Sequence, residues 1–139
     1  MNILVIDAQG GGLGKQVITA LKKNFPDMDI TAVGTNTMAT GVMLKAGASH
    51  AATGENAVVV SSRKADIIIG PMAIVIADSM FGEITPAMAL AVAQSNAKRI
   101  LIPFNHCDNI VVGIHDYNVT ALIQEAIDEV NKTLPSKQS

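Results

Sequence analysis

The chain has 139 residues, 49% of them hydrophobic and 16% charged, with a formal net charge of -2. That length suits one domain able to bury its own core, and the charge excludes a reader of nucleic-acid phosphates, which carries a clustered excess of Lys and Arg. Cys107 is the only cysteine, so an internal disulfide is excluded, and with no basic leader before the first apolar run the expected location is the cytoplasm.

In chain order, residues 2–6 are a short apolar, β-branched run followed by glycines. Leu13, Val17, Ala20, Leu21 and Asn24 then recur at helical spacing until Pro26. The spacing predicts a strand, a tight turn and a helix. Residues 30–33 read as a second strand and 37–46 as a second helix, with Met38, Val42 and Met43 inward and Gly47 as its stop.

Further strands are expected at 49–52, 66–69 and 99–103. Residues 57–62 are valine-rich and resemble a strand. A crossover is needed between parallel strands, however, so they are assigned to a helix. Residues 74–80 have the same ambiguity. Thr85 and Pro86 form an N-cap and first-turn pair that opens a helix through Met88, Leu90, Val92 and Ala93. Val119, Leu122, Ile123, Ala126, Ile127 and Val130 trace the apolar face of a terminal helix, and the polar stretch 132–139 is expected to fray.

The longest apolar stretch, 67–77, is interrupted by Gly70 and Pro71 and is about half of the roughly 20 residues a spanning helix needs, so no membrane association is expected. Alternating strands and helices predict a three-layer α/β, Rossmann-like fold with a mostly parallel sheet. It forms a single domain over residues 1–134, with 135–139 as a frayed tail. The low surface charge predicts a homo-oligomer.

The strongest chemical signal is Asp7-Ala8-Gln9-Gly10-Gly11-Gly12-Leu13-Gly14-Lys15, between a buried strand and a helix. Glycines there let backbone N–H groups approach an anion, and the helix N-terminus adds partial positive charge. A small phosphate-bearing ligand is the expected partner. The spacing matches three templates imperfectly. In the dinucleotide fingerprint Gly11 and Gly14 fit, but Gln9 takes the first glycine's place. In the short-chain dehydrogenase pattern Gly12 and Gly14 fit, with Ala8 leading. As a Walker A loop Gly14-Lys15 fits, but Gln16 stands where a Mg²⁺-binding hydroxyl belongs. The acid that binds a ribose at the end of the second strand is missing, and Gly34-Thr35-Asn36 stands there. NADP, NAD or another nucleotide therefore all stay open, as does a plain N-cap role for Thr35 or Asn36.

Open parallel sheets bind ligands at the carboxyl ends of their strands. Those ends carry Asp7, Gln9 and the glycines, then Thr35 and Asn36, then Thr53, Glu55 and Asn56, then Gly70, then Asn105 and His106. Asp7 either serves the ligand or hydrogen-bonds loop amides. Thr53 to Asn56 is either a ligand loop or a helix entry.

The blocks Val-Ile-Asp-Ala-Gln-Gly-Gly-Gly-Leu-Gly-Lys, Gly34-Thr35-Asn36, Leu44-Lys45-Ala46-Gly47-Ala48, Ala52-Thr53-Gly54-Glu55-Asn56-Ala57, Gly70-Pro71 and Ile102-Pro103 together resemble a small bacterial family of Rossmann-like proteins, domain of unknown function 3842. The resemblance spans nearly the whole chain. It implies a bacterial cytoplasmic protein with this fold, carries no activity, and places Ala8 where that family's glycine is expected.

His106, Cys107, Asp108, His115 and Asp116 are close in sequence but meet no zinc spacing, and no metal is expected. Three functions stay open. They are a nucleotide-binding module, a small NAD(P)-dependent oxidoreductase, and an oligomeric interaction protein using residues 67–81 as its interface.

Overall fold

Alternate residues of the first strand serve two different cores. In β1 (Asn2–Asp7), Ile3 and Val5 enter one apolar cluster while Leu4 and Ile6 enter another. The period-two pleat sends successive side chains to opposite faces. Both faces are covered, so the strand reads as a continuous apolar run. The computed structural model describes residues 1–103 and 108–135.

The elements follow as α1 (Gly12–Asn24), β2 (Asp29–Gly34), α2 (Thr37–Lys45), β3 (His50–Thr53), α3 (Glu55–Lys64), β4 (Ile67–Pro71), a short 3-10 helix (Met72–Val75), α4 (Pro86–Gln94), β5 (Lys98–Ile102) and α5 (Val119–Thr133). Among the described residues five strands form one sheet in the order β3-β2-β1-β4-β5. Every pairing is parallel, with Asp7 opposite Gly34 and Val5 opposite Ile69. The sheet is thus wholly parallel rather than mostly so.

On one face α1 and α5 bury Leu13, Val17, Ile18, Leu21, Leu122, Ile123, Ala126, Ile127 and Val130 over Ile3, Val5, Ile67 and Ile69, with Met43 of α2 in the same cluster. On the other, Val58 of α3 and Met88, Ala89 and Val92 of α4 cover Leu4, Ile6, Val33 and Ile68. Each such Leu, Ile, Val or Met side chain contributes roughly 1.5–3 kcal/mol over its exposed state.

Three sequence expectations change. Met38 is 68% exposed and Ala39 takes its place beside Met43, because Ala39 lies four residues before Met43, one turn away on the same helix face. Residues 74–80 are neither strand nor α-helix but the end of the 3-10 helix and a run of turns. Lys132 and Thr133 remain helical, since Val130 anchors the last turn of α5; residues 136–139 of the expected tail lie outside the described residues. Among the described residues no helix is long and apolar enough to cross a membrane.

Candidate functional site

The turn between β1 and α1 is built by glycines with two separate duties. Gly11 is left-handed (φ 73), and a Cβ on it would lie 2.8 Å from the Ala39 Cα. A Cβ on Gly14 would lie 2.5 Å from Met43 Sδ and 3.0 Å from Asp7 Cβ. These two glycines let α1 pack on α2 and β1. Gly10 and Gly12 differ, since a Cβ on either would meet nothing within 4 Å. Gln9, which stands where the dinucleotide fingerprint has its first glycine, is also left-handed (φ 52).

Asp7 is 3% exposed, and its two carboxylate oxygens accept from separate amides, Oδ1 from Ala8 at 2.8 Å and Oδ2 from Gly14 at 2.7 Å. Burial pushes this carboxyl above its ordinary range, the Gly14 and Ala8 N–H groups oppose that, and the nearby Glu83 charge adds to the upward push. The carboxylate therefore satisfies one orphan donor of the α1 N-terminus from inside. Among the described residues nothing accepts from the N–H groups of Gly10, Gly12 or Leu13.

Those amides lie in the wall of a cleft of about 740 Å³. One side is the glycine turn, with Asp7, Gln9, Gly10, Gly11, Gly12 and Leu13. The other is the end of β4 at Pro71 and the segment that follows, chiefly Met72, Ala73, Ile76, Met80 and Phe81, with Asp78, Asp108 and Asn109 at the polar edge. The cleft opens where strand order reverses, between β1 and β4, because the chain leaves those two strands toward opposite faces of the sheet. No Lys or Arg lines it among the described residues.

The loop after the 3-10 helix holds Asp78 (φ 65), Met80 (φ 56), Phe81 (φ 58) and Gly82 (φ 84) in left-handed conformations. Non-glycine residues held so cost on the order of 1–3 kcal/mol each and persist where neighbours fix them. Here Asp78 N–H donates to the Ile84 carbonyl at 2.7 Å and Ser79 Oγ to the Ala73 carbonyl at 2.7 Å.

The next residue, Glu83, reaches across the strand ends. Its Oε1 accepts from Gln9 N at 2.9 Å, Thr35 Oγ1 at 2.7 Å and Asn36 Nδ2 at 2.9 Å. Desolvation pushes this carboxyl up, but the Thr35, Gln9 and Asn36 donors outweigh it and leave it below its ordinary value.

The remaining predicted residues scatter. Gly14 lies behind the turn on Asp7, and Lys15 is exposed on α1 away from the cleft lining. Thr35 and Asn36 serve Glu83, and Asn36 also caps α2 by accepting from Ala39 N at 2.9 Å. Thr53 shares a hydrogen bond with the Thr40 hydroxyl at 2.7 Å, Glu55 accepts from Thr85 Oγ1 at 2.5 Å, and Asn56 is exposed; none of the three lines the cleft. Thr53 does not cap α3 either, since Gly54 holds that position. Asn105, His106 and Cys107 lie outside the described residues, and among the described residues no group of three His, Cys, Asp or Glu could hold a metal ion.

Sequence reasoning missed Glu83 and the cleft wall after β4. Gly70-Pro71 at the end of β4 was the available signal. Of the stretch 67–81 proposed as an interface, Ile67, Ile68 and Ile69 are fully buried in the sheet and cannot form one.

A wholly parallel sheet of this order, with a glycine turn and a cleft at its reversal point, defines an α/β protein of the Rossmann-like class. The chain belongs to the family described as domain of unknown function DUF3842, whose model matches residues 2–135. It is also similar to the crystal structure of a dodecameric FMN-dependent Ubix-like decarboxylase from Escherichia coli O157:H7, at 15% identity and a TM-score of 0.49, over 100% of each chain. No curated protein matches it.

Proposed function

We propose that this chain binds a small phosphate ester of the nucleotide type in the cleft between β1 and β4. The observation that carries the reading is the pairing of open space at Gly10 and Gly12 with N–H groups at Gly10, Gly12 and Leu13 that have no acceptor among the described residues, in the cleft wall. A phosphate oxygen there is met by backbone dipoles and the α1 N-terminus, which needs no basic side chain. The opposite wall of Met72, Ala73, Ile76, Met80 and Phe81 offers an apolar surface for a planar heterocycle.

The test is thermal unfolding of the protein against NAD, NADP, FAD, FMN, ATP, GTP, S-adenosylmethionine and inorganic phosphates. A ligand at 100 times its Kd adds about 2.7 kcal/mol and raises Tm by several degrees in a domain of this size. The shift is expected for a nucleotide and is expected to vanish in Gly12→Val. Flat curves for every compound would return the turn to a packing role.

A homo-oligomer is the second part of the reading. Phe81, Ile110 and Val112 are 99%, 91% and 94% exposed, and self-association is one way to remove such side chains from water. Light scattering should give a multiple of the 14.5 kDa chain mass; a monomer at micromolar concentration would overturn it.

A further inference from the structure

From the glycine turn a ligand can extend in two directions along the strand ends, over β4 or over β2. Over β4 lies the cleft. Over β2 the way is occupied. The loop after β4 crosses β1, and the Glu83 carboxylate sits on Thr35, Asn36 and the Gln9 N–H. Asn36 Nδ2 donates as well to the Gln9 carbonyl at 2.9 Å, so the end of β2 is tied directly to the glycine turn. The hydroxyl and amide that could hold ribose hydroxyls at this end are thereby spent on a carboxylate of the chain itself. Neither β2 nor the loop that follows it contributes a residue to the cleft lining.

We infer that the site takes a mononucleotide, one phosphate ester with its heterocycle toward β4, and shuts out dinucleotides because the Glu83 bridge closes the β2 side. The inference rests on the nucleotide-binding reading above and narrows its ligand class. A dinucleotide carries a second nucleoside beyond the pyrophosphate. To place it over β2, the bridge would have to open and leave the Glu83 charge without its three donors, a cost that a mononucleotide does not incur.

Calorimetric titration of the full chain with matched compounds tests this. NAD is compared with its halves, nicotinamide mononucleotide and AMP, and FAD with FMN and AMP. The tightest half is expected to bind at least about tenfold more tightly than the dinucleotide that contains it, a difference of about 1.4 kcal/mol. In Glu83→Ala that gap is expected to shrink toward unity. A dinucleotide that binds the wild type as well as its better half overturns the inference and leaves nucleotide binding standing. An unchanged gap in a folded Glu83→Ala also overturns it. Binding of none of the compounds removes the nucleotide reading and this one with it. Should Glu83→Ala fail to fold, Thr35→Val removes one donor from the bridge and the same narrowing of the gap is required.

Discussion

The Asp7 carboxylate accepts the Gly14 N–H at 2.7 Å, joining the last residue of β1 to the first turn of α1 from within the core. No side chain caps this helix at its N-cap, Gly11, so Asp7 supplies the side-chain acceptor for its first turn.

Asp7→Asn should therefore destabilise the fold without altering its outline. The amide keeps one acceptor oxygen for two N–H donors and directs an NH₂ group at the other. A buried donor left unsatisfied costs about 1–3 kcal/mol, which urea unfolding will resolve as a lower midpoint at unchanged slope.

The two kinds of glycine should separate cleanly. Gly11→Ala forces a Cβ to 2.8 Å from the Ala39 Cα at a left-handed φ, and a loss of about 1–3 kcal/mol is expected. Gly12→Ala meets open space and should unfold within about 0.5 kcal/mol of the wild type. Chemical denaturation of the two variants side by side checks this; an equally damaged Gly12→Ala would assign the whole turn to packing.

Thr85 joins two helices. Its Oγ1 accepts from Met88 N at 3.2 Å to cap α4 and donates to Glu55 on α3. Thr85→Ala should cost about 0.5–2 kcal/mol, the usual range for a lost N-cap, and Thr85→Ser should recover most of it, both read from Tm.

The Glu83 bridge should appear in the pH dependence of stability. Its carboxyl is held below its ordinary value in the folded chain. Its contribution is thus present above the unfolded pKa of about 4.3 and is lost as pH falls through the lower folded value. Glu83→Gln lacks this loss. Between neutral pH and pH 3 the wild type should lose more Tm than Glu83→Gln does. Asp7 runs the opposite way: its raised carboxyl contributes most below an unfolded pKa of about 3.9, and that contribution is lost as pH rises through the folded value. The comparison with Glu83→Gln separates the two. Parallel curves would show that the bridge carries no charge-dependent stability.

Much of the fold was legible because local rules and packing agree. The apolar face of α5 and the Thr85-Pro86 start of α4 stand where their spacing places them. The valine-rich 57–62 stretch is helical, as the crossover demands, against its strand propensity. The site was half legible. Glycines announce a turn, but the same residue type serves packing at Gly11 and Gly14 and open space at Gly10 and Gly12, a difference set by α2 across the turn. Met38 was misplaced because the core-facing side of α2 runs through Ala39 and Met43, and Met38 lies about 100° round the helix from Ala39.

By itself the sequence determined the alternation of strands and helices, the glycine turn after β1 and the apolar faces, since each is written in the spacing of neighbouring residues. Tertiary structure alone decided that Glu83, distant from Gln9, Thr35 and Asn36 in the chain, completes the strand ends. It likewise decided that the cleft wall comes from the loop after β4. These contacts join segments whose meeting depends on strand order, and no local spacing encodes that order.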